Sequence, residues 1–139
     1  MIDFHFKSDY LMTDKAKYSD WISSILFSEG FSLGPLDYIF VDDQALLEIN
    51  LQYLGHDTLT DIITFDYTQG KTLSGDIFIS TQRVQENADT FGVAFENELQ
   101  RVMSHGLLHL MGYGDKTPEE VEIMRGKEEE KIKMFHVEH

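Results

Sequence analysis

The segment at residues 94–112, AFENELQRVMSHGLLHLMG, constrains the fold more than any other part of the sequence. Its apolar residues recur at helical spacing and cover a wide arc of the predicted helix. We therefore expect a central helix that other elements bury on more than one side. The apolar positions are Leu99, Val102, Met103, Leu107, Leu110 and Met111.

Alternation and helical spacing assign the rest of the chain to four strands and four further helices. Gly30 and Gly92 follow two of the helices as stop signals, Asp43 and Thr117 suit helix N-caps, and Pro118 suits a first helical turn. This order predicts an α/β (α+β) fold in which a mixed four-stranded sheet packs against about five helices. The predicted strands are 2–6, 36–43, 62–67 and 75–80, and the predicted helices are 14–30, 43–54, 80–92, 94–112 and 117–135, with a loop at 55–61 and a turn at 68–73.

Length and composition indicate one domain over residues 1–139, with enough apolar material for a single core. The absence of cysteine excludes disulfides, iron–sulfur clusters and thiolate zinc sites, and it suits a reducing compartment. The N-terminal segment has acids where a signal peptide carries positive charge, and no apolar run is long enough for a membrane span. We expect a cytoplasmic protein without a membrane partner.

The formal net charge of −14 opposes general coating of nucleic acids, but it allows an RNA contact through a local patch. Basic residues cluster late in the chain and alternate with glutamates. We interpret this segment as a solvated helix face with ion pairs one turn apart. The basic residues are Lys116, Arg125, Lys127, Lys131 and Lys133, and the acids are Glu119, Glu120, Glu122, Glu128, Glu129 and Glu130.

A metal-binding pattern ends the apolar helix. His105 and His109 lie one turn apart, so both imidazoles can reach one ion. Gly112 suits the left-handed position that reverses the chain after a helix, and Asp115 can then return as a third ligand. Two histidines and one carboxylate suit one Zn²⁺ per chain, with a fourth position left for water. The alternative is a core helix whose histidines bond to the backbone.

The residue after the first histidine argues against one class of zinc enzyme. Zinc proteases of the H-E-x-x-H type use that glutamate as general base, and here Gly106 occupies its position. Glycine costs about 1 kcal/mol in a helix relative to alanine. We therefore disfavour a peptidase and expect close packing, or room for a substrate, at Gly106.

Three segments resemble the YbeY family of bacterial metal-dependent endoribonucleases. SHGLLHLMGYGD at 104–115 resembles the signature H-G-x-L-H-L-x-G-Y-D-H. INLQYLGHDTLTDIITF at 49–65 is similar to the family segment L-N-x-x-Y-R-G-K-D-x-x-T-D-V-L-S-F, and SGDIFIS at 74–80 is similar to its strand G-D-I-x-I-S. Their order and spacing agree with the family over residues 49–115.

The resemblance implies a zinc-dependent cut of single-stranded RNA, in 16S rRNA 3′-end maturation and ribosome quality control. It also implies single-stranded rRNA and the small ribosomal subunit, or its proteins, as partners, without DNA. The first two metal ligands of the family carry over to His105 and His109.

Two positions depart from the family pattern. The third histidine of the signature is Asp115 here, which we keep as a ligand; His136 or His139 in the tail is the alternative. The arginine that follows N-x-x-Y is Leu54, which can neither assist catalysis nor contact a phosphate. His56 is the nearest candidate for a catalytic role, and an exposed loop histidine is its other interpretation.

Loss of the family arginine also favours a second function, a non-catalytic zinc-containing ribosome-assembly factor that docks on basic ribosomal proteins. A hydrolase of an unrelated small substrate is a third. Ser104 and Tyr113 flank the predicted ligands and either donate hydrogen bonds or pack. Asp61 and Asp76 either support the site or cap turns.

Overall fold

The predicted order of strands and helices is confirmed over the residues that the computed structural model describes, 1–55 and 60–136. A π-helical turn, Asn50–Leu54, is added after the second helix. The strands are β1 Ile2–Phe6, β2 Ser32–Val41, β3 Ile62–Asp66 and β4 Thr72–Ser80, and the helices are α1 Lys15–Ser28, α2 Asp43–Ile49, α3 Thr81–Phe91, α4 Phe95–Leu110 and α5 Pro118–Phe135.

The four strands form one mixed sheet in the order β1-β2-β4-β3. The pairings of β1 with β2 and of β2 with β4 are parallel, and β3 runs antiparallel to β4 at the opposite edge from β1. The mixed four-stranded sheet with five helices agrees with the predicted single-domain α+β fold.

Alternate residues of the inner strands build two hydrophobic layers, as the two-residue period of a strand requires. Tyr38 and Ile77 lie in the larger core, where α1 and α4 cover one face of the sheet. Ile39 and Phe78 point to the other face and pack beside Leu46 of α2. The site described below lies at the C-terminal end of α4.

The prediction that α4 is the central helix is confirmed. Its residues Leu99, Val102, Met103, Leu107 and Leu110 are all buried. No helix in the described part of the chain is both long and apolar enough to cross a membrane.

The predicted N-cap of α2, Asp43, is wrong because the cap lies one residue earlier. Asp42 is the cap, since its carboxylate accepts a hydrogen bond from the backbone N–H of Ala45 at 2.8 Å. Asp43 lies in the first turn instead, where it pairs with Arg83. The predicted cap at Thr117 is confirmed and forms a capping box with Glu120.

Two strands begin earlier than predicted. β2 begins at Ser32 rather than 36, and β4 begins at Thr72, inside the predicted turn at 68–73. Ser32 pairs with Thr72 across the parallel ladder. Because this pairing joins residues distant in sequence, local turn signals did not predict it.

Candidate metal centre

The last two turns of α4 and the loop after it bring the three predicted ligands together. His105 and His109 project from one face of α4, with ring centroids 4.5 Å apart. The helix ends at Leu110, and Gly112 then takes a φ of +101°, in the region that favours glycine. This reversal returns Asp115 to the imidazoles, so that one ligand atom from each residue lies within 4.8 Å of the others.

The spacing of the ligand atoms suits a small tetrahedral ion. Asp115 Oδ2 lies 3.3 Å from His105 Nε2 and 3.2 Å from His109 Nε2. Ligands about 2.05 Å from a tetrahedral zinc ion are about 3.3 Å apart, so both distances match the edge of such a site. Three ligands leave a fourth coordination position for water or substrate.

Glu128 of α5 orients the first imidazole. Its carboxylate lies 2.6 Å from His105 Nδ1 and only 5% of its side chain is exposed. An ionised carboxylate can only accept a hydrogen bond, so Nδ1 carries the proton and donates it. The lone pair of a neutral His105 ring is then on Nε2, the atom that faces Asp115.

The second imidazole is oriented by the backbone. His109 Nδ1 lies 2.9 Å from the carbonyl oxygen of Tyr113, which can only accept, so Nδ1 donates here too. Both histidines therefore present Nε2 to the same point. The alternative of core histidines bonded to the backbone fits the Tyr113 contact of His109 but not the Glu128 contact of His105.

A half-buried ionic cluster around Glu29 fixes the position of Tyr113. The Tyr113 hydroxyl donates to Glu29 at the end of α1 at 2.6 Å, as do Lys127 at 3.0 Å and Lys131 at 2.7 Å. Burial raises the pKa of Glu29, but these three donors outweigh burial and lower the pKa to about 2. The cluster ties α1 and α5 to the loop that carries Asp115.

Most of the late charges are exposed, as predicted for a solvated face, but two of them are buried. Lys131 is completely buried and Glu128 nearly so. Together with Met124, they occupy the buried stripe of α5, because spacings of four and three place them on one face. That spacing was the available signal, and the sequence prediction missed the roles of Glu128 and Glu29.

The polar residues Ser104, Asp61 and Asp76 make different contacts. Ser104 donates to the carbonyl oxygen of Arg101 at 2.9 Å, so it packs within the helix. Asp61 lies beside the site, 3.6 Å from Arg101. Burial raises the pKa of Asp61, while Arg101 and His105 oppose the rise. Asp76 instead accepts a bond from Tyr67, outside the metal-ligand cluster.

Gly106 explains why a protease-type glutamate has no place here. A Cβ atom at Gly106 would lie 2.8 Å from Ile62 Cδ1 and 3.1 Å from Ile77 Cγ2. The position therefore faces the sheet rather than the ligands. Of the two predicted reasons for this glycine, the structure supports close packing.

The structure describes two of the four remaining predicted residues, Leu54 and His136. Leu54 lines a cavity of about 500 Å³ together with His105, His109 and Asp115, and it is 48% exposed. His136 follows the end of α5, where its ring contacts Phe135 rather than the ligand cluster. The two other histidines proposed at the sequence level, His56 and His139, lie outside the described residues.

Comparison with known proteins places nearly the whole chain in one family. A family model described as Endoribonuclease YbeY matches residues 3–136. The protein named Endoribonuclease YbeY from Flavobacterium johnsoniae is 51% identical over 138 residues, which cover 99% of each chain. Its namesake from Flavobacterium psychrophilum is 54% identical over 137 residues, which cover 99% of this chain and 98% of that protein.

A solved structure shares the fold. The solution structure of TM1509 from Thermotoga maritima has a TM-score of 0.71 and 27% sequence identity, covering 97% of this chain and 89% of that chain. The predicted resemblance is therefore confirmed, and the chain belongs to the Endoribonuclease YbeY family.

Proposed function

We propose that the chain is a zinc-dependent endoribonuclease that cleaves single-stranded ribosomal RNA, in 16S rRNA 3′-end maturation and ribosome quality control in the cytoplasm. Its ligands are His105, His109 and Asp115, with one zinc ion per chain. The observation that carries the proposal is the orientation of both imidazoles. Each donates from Nδ1 away from the centre and directs Nε2 to within 3.3 Å of the same Asp115 oxygen.

Family membership supports the reaction, since the relatives are named endoribonucleases. Held by His105, His109 and Asp115, a zinc ion would supply a Lewis acid for a phosphoryl oxygen and would lower the pKa of a coordinated water. The chain itself orients the two imidazoles through Glu128 and the Tyr113 carbonyl. It also leaves the ligands open to a cavity of about 500 Å³, large enough to admit part of an RNA strand.

Asp115 sets the charge of the centre. A carboxylate in place of a third histidine leaves the ion and its protein ligands with a charge of about +1 rather than +2. A coordinated water is then less acidic than with three neutral ligands. We therefore expect cleavage to rise towards higher pH, and Asp115→His to shift that rise to lower pH.

The test compares metal content and RNA cleavage in the same preparations. The zinc-loaded chain is expected to hold about one zinc and to cut single-stranded rRNA ends. His105→Ala and Asp115→Asn should lose most of both. His5→Ala is the matched control, because His5 pairs with Asp37 on the outer strand β1 and is not part of the ligand cluster. Cleavage by His105→Ala equal to that by the unmodified chain would refute the proposal.

Leu54 favours the second candidate, a non-catalytic zinc-containing ribosome-assembly factor. This apolar side chain lines the metal cavity at the position where the family segment has arginine. The chain would then bind zinc and small ribosomal subunits without cutting RNA. Zinc-dependent subunit binding with no cleavage at any pH would favour this function over the first.

A further inference from the structure

A groove runs from the metal centre along the outer side of α4. It has a volume of about 440 Å³ and lies between α5 and the connection from α3 to α4. His105 and Asp115 form its inner end, so it is continuous with the candidate catalytic site. Its volume falls within the range of about 300–1,000 Å³ that is typical of small-molecule sites.

Part of the groove wall is apolar and includes an exposed aromatic ring. Phe91 ends α3 with 62% of its surface exposed, and Val93 is 39% exposed two residues later. Val121 and Met124 of α5 also line the groove. An exposed ring beside apolar side chains can stack with an unpaired base, whatever its sequence.

Two arginines line the groove, and they differ in their partners. Arg101 donates to both carboxylate oxygens of Glu98, at 2.9 and 2.8 Å, and lies 3.5 Å from Glu128. Arg125 of α5 is exposed and forms no ion pair with any described residue. Its guanidinium group is therefore free to bind an anion such as a phosphate.

The charge of the groove suits RNA only when the metal is bound. Three carboxylates and two arginines line it, for a formal charge of −1 in a chain of net charge −14. A divalent ion held by His105 and Asp115 makes the total +1. The groove is then a locally positive path on an acidic protein, which favours a phosphate backbone.

We infer that this groove is a nucleotide subsite for the single-stranded RNA. The base of the nucleotide next to the cleaved linkage stacks on Phe91, and Arg125 binds its phosphate. Arg125 would thus supply, from α5, a phosphate contact that Leu54 cannot make. The inference rests on the proposed function for the chemistry at its inner end, but RNA binding can be measured apart from cleavage.

The experiment measures binding of a fluorescein-labelled single-stranded RNA hexamer to the zinc-loaded chain by fluorescence anisotropy, with phosphorothioate linkages that slow cleavage of the hexamer. Phe91→Ala should weaken binding about 5- to 150-fold, which corresponds to the loss of one stacked base at about 1–3 kcal/mol. Phe91→Tyr, which keeps a ring, should retain the affinity. Arg125→Gln should weaken binding about 3- to 10-fold and reduce the slope of log affinity against log salt by about 0.7.

Two control variants are matched to these changes. Phe27→Ala removes a ring that is 86% exposed on α1 and does not line the groove. Lys133→Gln removes an exposed charge about two turns further along α5. Neither should change RNA affinity.

The outcomes separate this inference from the proposed function. If Phe91→Ala and Arg125→Gln bind RNA like the unmodified chain, or no more weakly than the controls, the nucleotide subsite is refuted. Cleavage by the zinc-loaded chain would then still support the proposed function. If both variants lose affinity while the zinc-loaded chain cuts no RNA, the subsite stands and the endoribonuclease proposal fails.

Discussion

Replacement of Glu29 by glutamine tests whether a half-buried carboxylate at the end of α1 holds α5 and the loop that carries Asp115 in place. The lowering of the Glu29 pKa from 4.5 to about 2 corresponds to about 3 kcal/mol, at about 1.4 kcal/mol per pKa unit. Solvent reaches 11% of the side chain, and its screening reduces this contribution to about 2 kcal/mol. Lys131, which is fully buried, loses its strongest partner, so we expect a total loss of about 2–4 kcal/mol near pH 7.

The same pKa fixes how this loss depends on pH. The folded pKa of Glu29 lies below its unfolded value, so its contribution is fully present above about pH 5 and is lost as the pH falls towards 2. In Glu29→Gln this contribution is absent at every pH. The difference in free energy of unfolding between the two proteins should therefore narrow as the solution is acidified.

The assay is urea unfolding of the metal-free proteins at several pH values between about 7 and 3, followed by the fluorescence of Trp21. Trp21 is buried and donates to the carbonyl oxygen of Lys131, so its signal reports on this region. Glu129→Gln is the control, because Glu129 is exposed on the same helix. The reasoning is refuted if the difference in free energy of unfolding between the unmodified chain and Glu29→Gln is the same at pH 3 as at pH 7. It is also refuted if the two proteins are equally stable at pH 7.

Three further predictions concern zinc binding, packing in the sheet and RNA binding. Glu128→Gln should weaken zinc binding about 10- to 100-fold, since it loosens the ring of His105; competition with a chromophoric chelator measures this. Gly75→Ala should destabilise the fold by about 1–3 kcal/mol in urea unfolding, because its Cβ would lie 2.5 Å from the backbone oxygen of Phe65. Leu54→Arg should tighten binding of single-stranded RNA and steepen its salt dependence by about 0.7, and an unchanged salt slope would contradict this.

The sequence by itself determined the order of the strands and helices and indicated the three candidate ligands. The histidines of α4 lie one turn apart, Gly112 reverses the chain, and Asp115 follows three residues later. All of these relations are local, and helix geometry converts them into positions in space without knowledge of the rest of the fold. The apolar arc of α4 likewise predicted its burial, because its width required partners on several sides.

Only the tertiary structure decided which residues support those ligands. Glu128 reaches His105 from 23 residues away, and Lys131 reaches Glu29 from 102 residues away. In the sequence, only their spacing from Met124 separates Glu128 and Lys131 from the solvated charges beside them, and that spacing does not identify their partners. Their burial depends on α5 packing against both α1 and α4. A buried charge is stable only when a partner of opposite charge contacts it, and here those partners are distant in sequence. Local patterns could therefore predict the candidate ligands, while the hydrogen bonds that orient their side chains depend on how the helices pack.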